Sequence, residues 1–348
     1  MDIPIGPKKR AVGWRTTLPT LVVSGLLVTA AYGQQGGNAP RRLGADAAVL
    51  YSEAAEWPVQ ALSAAGFPAG PWNFIQVASL AMNVNGNVLL LHRGAHSIME
   101  FDAGGKFLRS WGDDLISEGK VVYIPEENRG DGARYTAVYG PAGCTACGAH
   151  SIRVDHEGNI WVVDAGGHVV YKMNQQGDVL MQLGTRGKAG AGPRNFNLPT
   201  DVAVASNGNI YVSDGYGGAR VAKFSSDGEF LLEFGRRGTG PAEFGMPHNV
   251  VVDAQERVYV SDRDNGRVQV FDSNGEFLME WAGTGGVSAL GITKDQHLWA
   301  GNVLFTLDGK PVGRLPGDSA GHGGMAFAPN GDVYVAYLNG TAMRFVRQ

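Results

Sequence analysis

Six related segments recur along this chain, beginning near Val77, His150, Thr200, His248, Ser288 and Gly323, and they restrict its fold more than any other feature. Two of them can be read side by side. PTDVAVASNGNIYVSDGY runs from Pro199 to Tyr216, and PHNVVVDAQERVYVSDR runs from Pro247 to Arg263. Each reads as a strand, a tight turn, a second strand and a polar tip. The second strands align on a shared position held by Leu89, Trp161, Tyr211, Tyr259, Trp299 and Tyr334. Successive copies lie roughly 35 to 70 residues apart, and about 40 to 50 is the span of a propeller blade.

Within a segment the apolar residues alternate, with Val258 and Val260 on one face and Tyr259 and Ser261 on the other. Hairpin turns are marked by Asn85-Gly86, Asn207-Gly208, Asp227-Gly228, Asn274-Gly275 and Asn330-Gly331, pairs that tolerate positive φ. The fourth segment supplies four strands: HNVVVD, RVYVSD, RVQVFD and EFLMEW. The pattern predicts an all-β, six-bladed β-propeller with four antiparallel strands per blade and the first strand of each lining a central channel. The last segment stops at Gln348 after three strands, so its fourth is expected from the N-terminal side, around Ala48 to Glu53. Glycine is abundant, with 52 residues, and charged residues make up only 18%, as expected for a turn-rich β protein.

Residues 1–33 follow another plan. Lys8, Lys9, Arg10 and Arg15 precede an apolar run from about Leu18 to Ala31, and Ala31-Tyr32-Gly33 supplies small residues for cleavage. This predicts a signal peptide and an exported protein, periplasmic or secreted; a retained membrane anchor is the alternative. A flexible leader is expected over 34–46 and the propeller over 47–348, with an insertion at about 112–149 that exceeds an ordinary loop. Loss of residues 1–33 removes four bases and one acid and moves the formal charge from -4 to -7. An acidic chain without a basic patch argues against a nucleic-acid partner.

Antiparallel pairing puts the start of strand one and the end of strand two of each blade at one rim of the channel. His150 and His248 open strand one of blades two and four, and His322 lies one residue out of register on blade six. Alternate blades are related by about 120° in a six-membered ring, so three imidazoles would converge on the axis. Three nitrogen ligands with an open position are a catalytic zinc arrangement, whereas a lone histidine there would simply hydrogen-bond the next blade. At the other rim position stand His92, Asp164, Asp214, Asp262, Asn302 and Tyr337, and the aspartates are expected to bind backbone amides. Next to this position come Arg93 on blade one and Arg263 on blade four, opposite each other. Facing guanidiniums would hold a carboxylate. Tyr216 lies between them around the ring, where a metal and two arginines would favour the phenolate, which makes it a candidate general base.

Leu91-His92-Arg93-Gly94 with His96, then PTDVAV with NIYVSDGY, then PHNV with YVSDRDNGRVQVF resemble the peptidyl-α-hydroxyglycine α-amidating lyase branch of the NHL-repeat propellers. The resemblance runs from about Trp57 to Phe345. It implies a carbon–nitrogen lyase that splits a C-terminal α-hydroxyglycine into an amide and glyoxylate. It also implies Zn2+ held by His150, His248 and His322, Tyr216 as base, and Arg93 and Arg263 on a substrate carboxylate. The substrate would be a small N-acyl or a peptidyl compound. The family's structural Ca2+ is in doubt here, because Gly323 stands where the family has an aspartate that helps hold it. Gly217 follows Tyr216 where the animal enzymes have a cysteine; Cys144-Thr145-Ala146-Cys147 offers a disulfide, or a thiolate for the metal, in its place. Two other functions compete: a non-catalytic NHL-repeat binding module of the cell envelope, and calcium-dependent lactone hydrolysis, which would want carboxylate or amide ligands instead of three histidines.

Overall fold

The computed structural model describes residues 42–54, 57, 76–94, 96–117, 121–123, 135–137, 148–317, 321–338 and 340–348. The expected signal peptide, most of the expected leader, and Cys144 and Cys147 lie outside the described residues. Among those described there is no α-helix, and the regular structure is strand apart from a single 3-10 turn at Arg263–Asn265.

Four sheets of four antiparallel strands follow the repeat. Sheet 1 holds Val77–Met82, Val88–His92, Ile98–Phe101 and Phe107–Trp111; sheet 2 holds Ala149–Val154, Ile160–Asp164, Val169–Met173 and Val179–Leu183. Sheet 3 holds Asp201–Val204, Ile210–Asp214, Arg220–Phe224 and Phe230–Phe234; sheet 4 holds Pro247–Val252, Val258–Asp262, Arg267–Phe271 and Phe277–Ala282. The last two repeats form one eight-stranded sheet. One half of it, Ala289–Ile292, His297–Ala300, Val303–Thr306 and Pro311–Arg314, meets the other through parallel pairing of Ala289 with Gly323. That other half, His322–Phe327, Val333–Tyr337 and Thr341–Arg347, gains Tyr51–Glu53 as an outer strand, with Ser52 opposite Val346. Within the insertion Val121–Tyr123 pairs with Tyr135–Ala137.

The alternation read from the sequence decides where the core sits. Because side chains point to opposite faces of a strand, each sheet is apolar on both faces and packs between two neighbours. Leu89, Leu91 and Ile98 of sheet 1 meet Ile152, Val162 and Tyr171 of sheet 2. Equivalent clusters join sheets 2 and 3, then 3 and 4, and then sheet 4 with the Ala289–Arg314 half. Ala289 and Trp299 pack on Met325 and Val335, and Val77, Leu80 and Leu90 pack on Ala326, Tyr334 and Ala336, which brings the last repeat against the first.

The inner strands carry a recurrent irregularity. Ala149 faces Asp164 and Ser151 faces Val163, so His150 is the extra residue of a bulge; His248 lies the same way between Pro247 and Asn249, and Ala78 between Val77 and Ser79. A bulge re-aims one side chain while pairing continues beyond it. In the last repeat His322 faces Ala336 and Ala326 faces Tyr334, so four steps on one strand span two on the other. The slip of one residue at His322 is taken up in this wider bulge by Gly323 and Gly324.

Gly323 has φ +63°, and a Cβ there would lie 2.2 Å from the Ala78 carbonyl oxygen. Gly323→Ala is therefore expected to cost more than the roughly 1–3 kcal/mol of a left-handed non-glycine residue. Gly331, at φ +91° with no atom closer than 3.6 Å, is the control. Urea unfolding of the two alanine variants should show the larger loss at Gly323.

Candidate functional site

The bulges aim three imidazoles at one another. Ring centroids are 4.9 Å apart for His150 and His248, 5.0 Å for His150 and His322, and 5.0 Å for His248 and His322, close to an equilateral triangle. One ligand-type atom from each lies within 4.8 Å of the others, and all three side chains are buried.

In each ring Nδ1 is occupied. His150 Nδ1 meets the Thr200 carbonyl oxygen at 2.5 Å, His322 Nδ1 meets that of Ala78 at 2.8 Å, and His248 Nδ1 meets Asn249 Oδ1 at 3.0 Å. A carbonyl oxygen only accepts, so Nδ1 carries the proton and Nε2 keeps its lone pair. Two of the three bonds reach the neighbouring repeat. In His150 and His322 one nitrogen ties repeats to each other, and in all three rings the other nitrogen is left without a carbonyl partner. Three neutral nitrogen donors oriented by oxygen acceptors are a donor set that suits zinc.

Burial, followed by the neighbouring imidazoles and the charges of Arg93 and Arg263, holds all three histidines well below the ordinary value. They therefore stay neutral in the fold, while in the unfolded chain they take up protons below about pH 6.5. The unfolded state then binds more protons. Stability of the metal-free chain is retained above about pH 6.5 and falls as the pH drops below it, by up to about 1.4 kcal/mol per pH unit for each histidine. Urea titrations at pH 7.5 and 5.5 check this, and His322→Gln should reduce the difference between them.

Tyr216 reaches the same centre from the loop after Ile210–Asp214. Its hydroxyl lies 3.1 Å from His150 Nε2 and 3.5 Å from His248 Nε2. Leu198 and Met246 pack around its ring, and the Tyr216 N–H donates to the Leu198 carbonyl at 3.4 Å. Arg263 Cζ stands 5.8 Å from the centroid of that ring, within cation–π range. The Arg263 N–H donates to the Met246 carbonyl and its Nε to Asp264 Oδ1. Burial works against its charge, but Tyr216 and Asp264 more than offset this and leave its pKa raised.

Arg93 comes from the turn after Val88–His92. It is buried, with Nη1 donating to Gln76 Oε1 at 2.7 Å and Nε to the Ala149 carbonyl next to His150 at 3.3 Å. All six residues singled out from sequence thus belong to one rim. The aspartates of that rim do bind backbone amides: Asp164 accepts from Ser117 and Gly167, Asp214 from Asn197, and Asp262 from Gly245 and Met246. Burial pushes Asp214 up to about 6 despite Arg220 beside it.

Sequence reasoning missed a layer beneath the imidazoles. Asp201 is buried and accepts hydrogen bonds from Ser151, Arg153, Asn249 and Val250, which lie one to three residues after two of the histidines. The available signal was a polar residue, Ser79, Ser151, Asp201 or Asn249, near the start of an otherwise apolar inner strand. A depression of about 850 Å³ lies at the other end of these strands, around Met82, Asp155, His297 and Arg347, and none of the three histidines lines it.

The NHL repeat family profile matches residues 196–224 and 244–271, the segments that carry Tyr216, His248 and Arg263. A probable peptidyl-alpha-hydroxyglycine alpha-amidating lyase of Caenorhabditis elegans is 32% identical over 166 residues, 45% of this chain and 43% of that protein. NHL repeat-containing protein 3 of Mus musculus is 36% identical over 210 residues, 57% of this chain and 52% of that protein. The chain thus spans about half or less of the length of these relatives. Among solved structures, the WD40 beta propeller domain of Doa1 superposes with a TM-score of 0.51 at 11% identity, covering 80% of this chain and 95% of that one, a likeness of fold alone. This chain is a β-propeller protein with NHL repeats, homologous to the peptidyl-alpha-hydroxyglycine alpha-amidating lyases and to NHL repeat-containing proteins.

Proposed function

We propose that the chain is an exported zinc-dependent carbon–nitrogen lyase that cleaves an N-acyl or peptidyl α-hydroxyglycine to an amide and glyoxylate. The observation that carries this reading is the convergence of His150, His248 and His322 on one point with the Tyr216 hydroxyl 3.1 Å from one of them. Lyase relatives support the reaction class. The scaffold is read as a six-bladed propeller over 47–348, closed by Tyr51–Glu53 pairing with the last strand. The packing of each repeat on the next, and of the last on the first, supports that count.

His150, His248 and His322 would hold the metal through Nε2. Zinc, when bound, supplies a Lewis acid for the substrate hydroxyl. Arg93 and Arg263 clamp the carboxylate and fix the hydroxyl-bearing carbon beside Tyr216. Tyr216 takes the hydroxyl proton. The electron pair of that O–H bond forms the aldehyde carbonyl, the carbon–nitrogen bond breaks, and the nitrogen leaves as the amide after gaining a proton. Atoms and charge balance without a redox partner. Burial of the imidazoles, which holds their pKa values low, keeps Nε2 free for a ligand role down to acid pH.

The test is glyoxylate release from α-hydroxyhippurate by zinc-loaded protein. An inert preparation that contains zinc overturns the reaction, and one that takes up no zinc overturns the metal as well. A second reading, a non-catalytic NHL-repeat binding module of the cell envelope, is compatible with the likeness to NHL repeat-containing protein 3. Co-purification of a partner with metal-free, inert protein would support that module.

A further inference from the structure

His248 differs from its two companions in what holds it. His150 and His322 give their Nδ1 proton to backbone carbonyls, which have no alternative orientation. His248 gives its proton to Asn249 Oδ1, and a side-chain amide can turn over and present an N–H instead. If Asn249 turned, His248 Nδ1 would have to accept, its proton would move to Nε2, and the lone pair facing the other imidazoles would be lost. Something must fix this amide.

We propose that Asp201 is the positioning residue that sets the tautomer of His248, acting through Asn249. Asn249 Nδ2 donates to Asp201 Oδ2 at 3.0 Å, and the Val250 N–H donates to the same oxygen at 3.2 Å. An ionised carboxylate accepts only, so it can take the NH2 group of Asn249 and never its oxygen. The carboxylate is held by Arg153, whose Nε lies 3.0 Å from Oδ1 and whose Nη2 pairs with Oδ2, while Nη1 anchors on the Leu290 carbonyl at 2.9 Å. Ser151, directly after His150, donates to the same carboxylate. Sheet 3 has Thr200 where sheets 2 and 4 have histidine, and it contributes the group that ties the two histidine strands together. Asp201, Asn249 and Ser151 are fully buried, so water offers Asn249 no substitute partner.

The inference rests on the zinc reading only for the use made of Nε2. It is tested on metal-free full-length chain carrying 15N-labelled histidine, with the His248 tautomer read from long-range ring proton–nitrogen correlations and zinc affinity read by competition with a chelator. Wild type is expected to show Nδ1–H alone. In Asp201→Ala the acceptor of the Asn249 NH2 group is gone and the Arg153 guanidinium that shared it is left facing that amide, so the orientation that turns the amide oxygen to Arg153 and the NH2 group to His248 becomes available. The Nε2–H form of His248 should appear and zinc affinity should fall about 10–100-fold, the usual cost of losing a partner behind a ligand. Adding Asn249→Asp places an acceptor-only group beside His248, and this double variant should return His248 to Nδ1–H and recover most of the affinity.

A folded Asp201→Ala chain with Nδ1–H alone overturns the proposal, as does a double variant that shows Nε2–H or, where the single variant does not fold, one that fails to fold as well. Should the single variant not fold, the double variant decides. Tautomer exchange in a chain that binds no zinc would overturn the zinc reading and leave this one standing.

Discussion

Tyr216→Phe is expected to lower kcat for glyoxylate release by about 10²–10⁴-fold, the range that a positioned general base contributes. The change removes one oxygen. That oxygen lies 3.1 Å from His150 Nε2 and 3.5 Å from His248 Nε2, while the ring is kept in place by Leu198, Met246 and the backbone bond to Leu198. Phenylalanine keeps those packing contacts, so fold and zinc content should stay close to wild type and KM should move far less than kcat. Comparing kcat, KM and metal content of the variant with wild type checks this. An equal loss of zinc and activity would show that Tyr216 acts through the metal site and not on the substrate.

The second large effect is expected at the imidazoles. His248→Ala should reduce zinc affinity by more than the roughly 10–100-fold associated with partners behind a ligand, because it removes one of three donors outright. The near-equal centroid distances leave no pair of histidines that forms a site by itself, so His150→Ala and His322→Ala should lose zinc to a similar degree. Each variant also loses the bond from Nδ1, and for His150 and His322 that bond ties one repeat to the next. These two should therefore lose more thermal stability in the metal-free state than His248→Ala, whose Nδ1 partner is its own chain neighbour. Metal titration and metal-free melting temperatures separate the two consequences.

The strands were legible because hairpin chemistry and alternation are local signals: Asn207-Gly208 and the Ile210–Asp214 strand specify their own pairing whatever surrounds them. His150 and His248 were legible for a further reason. A bulge that recurs at the same place in the first, second and fourth repeats turns a fixed sequence register into a fixed direction in space. His322 departs from that register because its position depends on how two glycines are folded into a wider bulge, and no spacing rule encodes that. Gly323 looked like the loss of an acidic residue, and in the fold it is the residue whose missing Cβ lets the strand pass the Ala78 carbonyl. Asp201 and Asn249 were not legible. Their meaning lies in a contact between two sheets and in the orientation of an amide, and sequence shows only a polar residue on an inner strand.

The central claim is that three histidine nitrogens on this rim hold one zinc. X-ray absorption at the zinc edge of purified, zinc-loaded protein tests it most directly. The account predicts three imidazole nitrogens at about 2.0–2.1 Å, with the remaining coordination from oxygen. A sulfur shell at about 2.3 Å, which would bring Cys144 or Cys147 to the metal, or zinc retained unchanged in the His150→Ala/His248→Ala double variant, would contradict it.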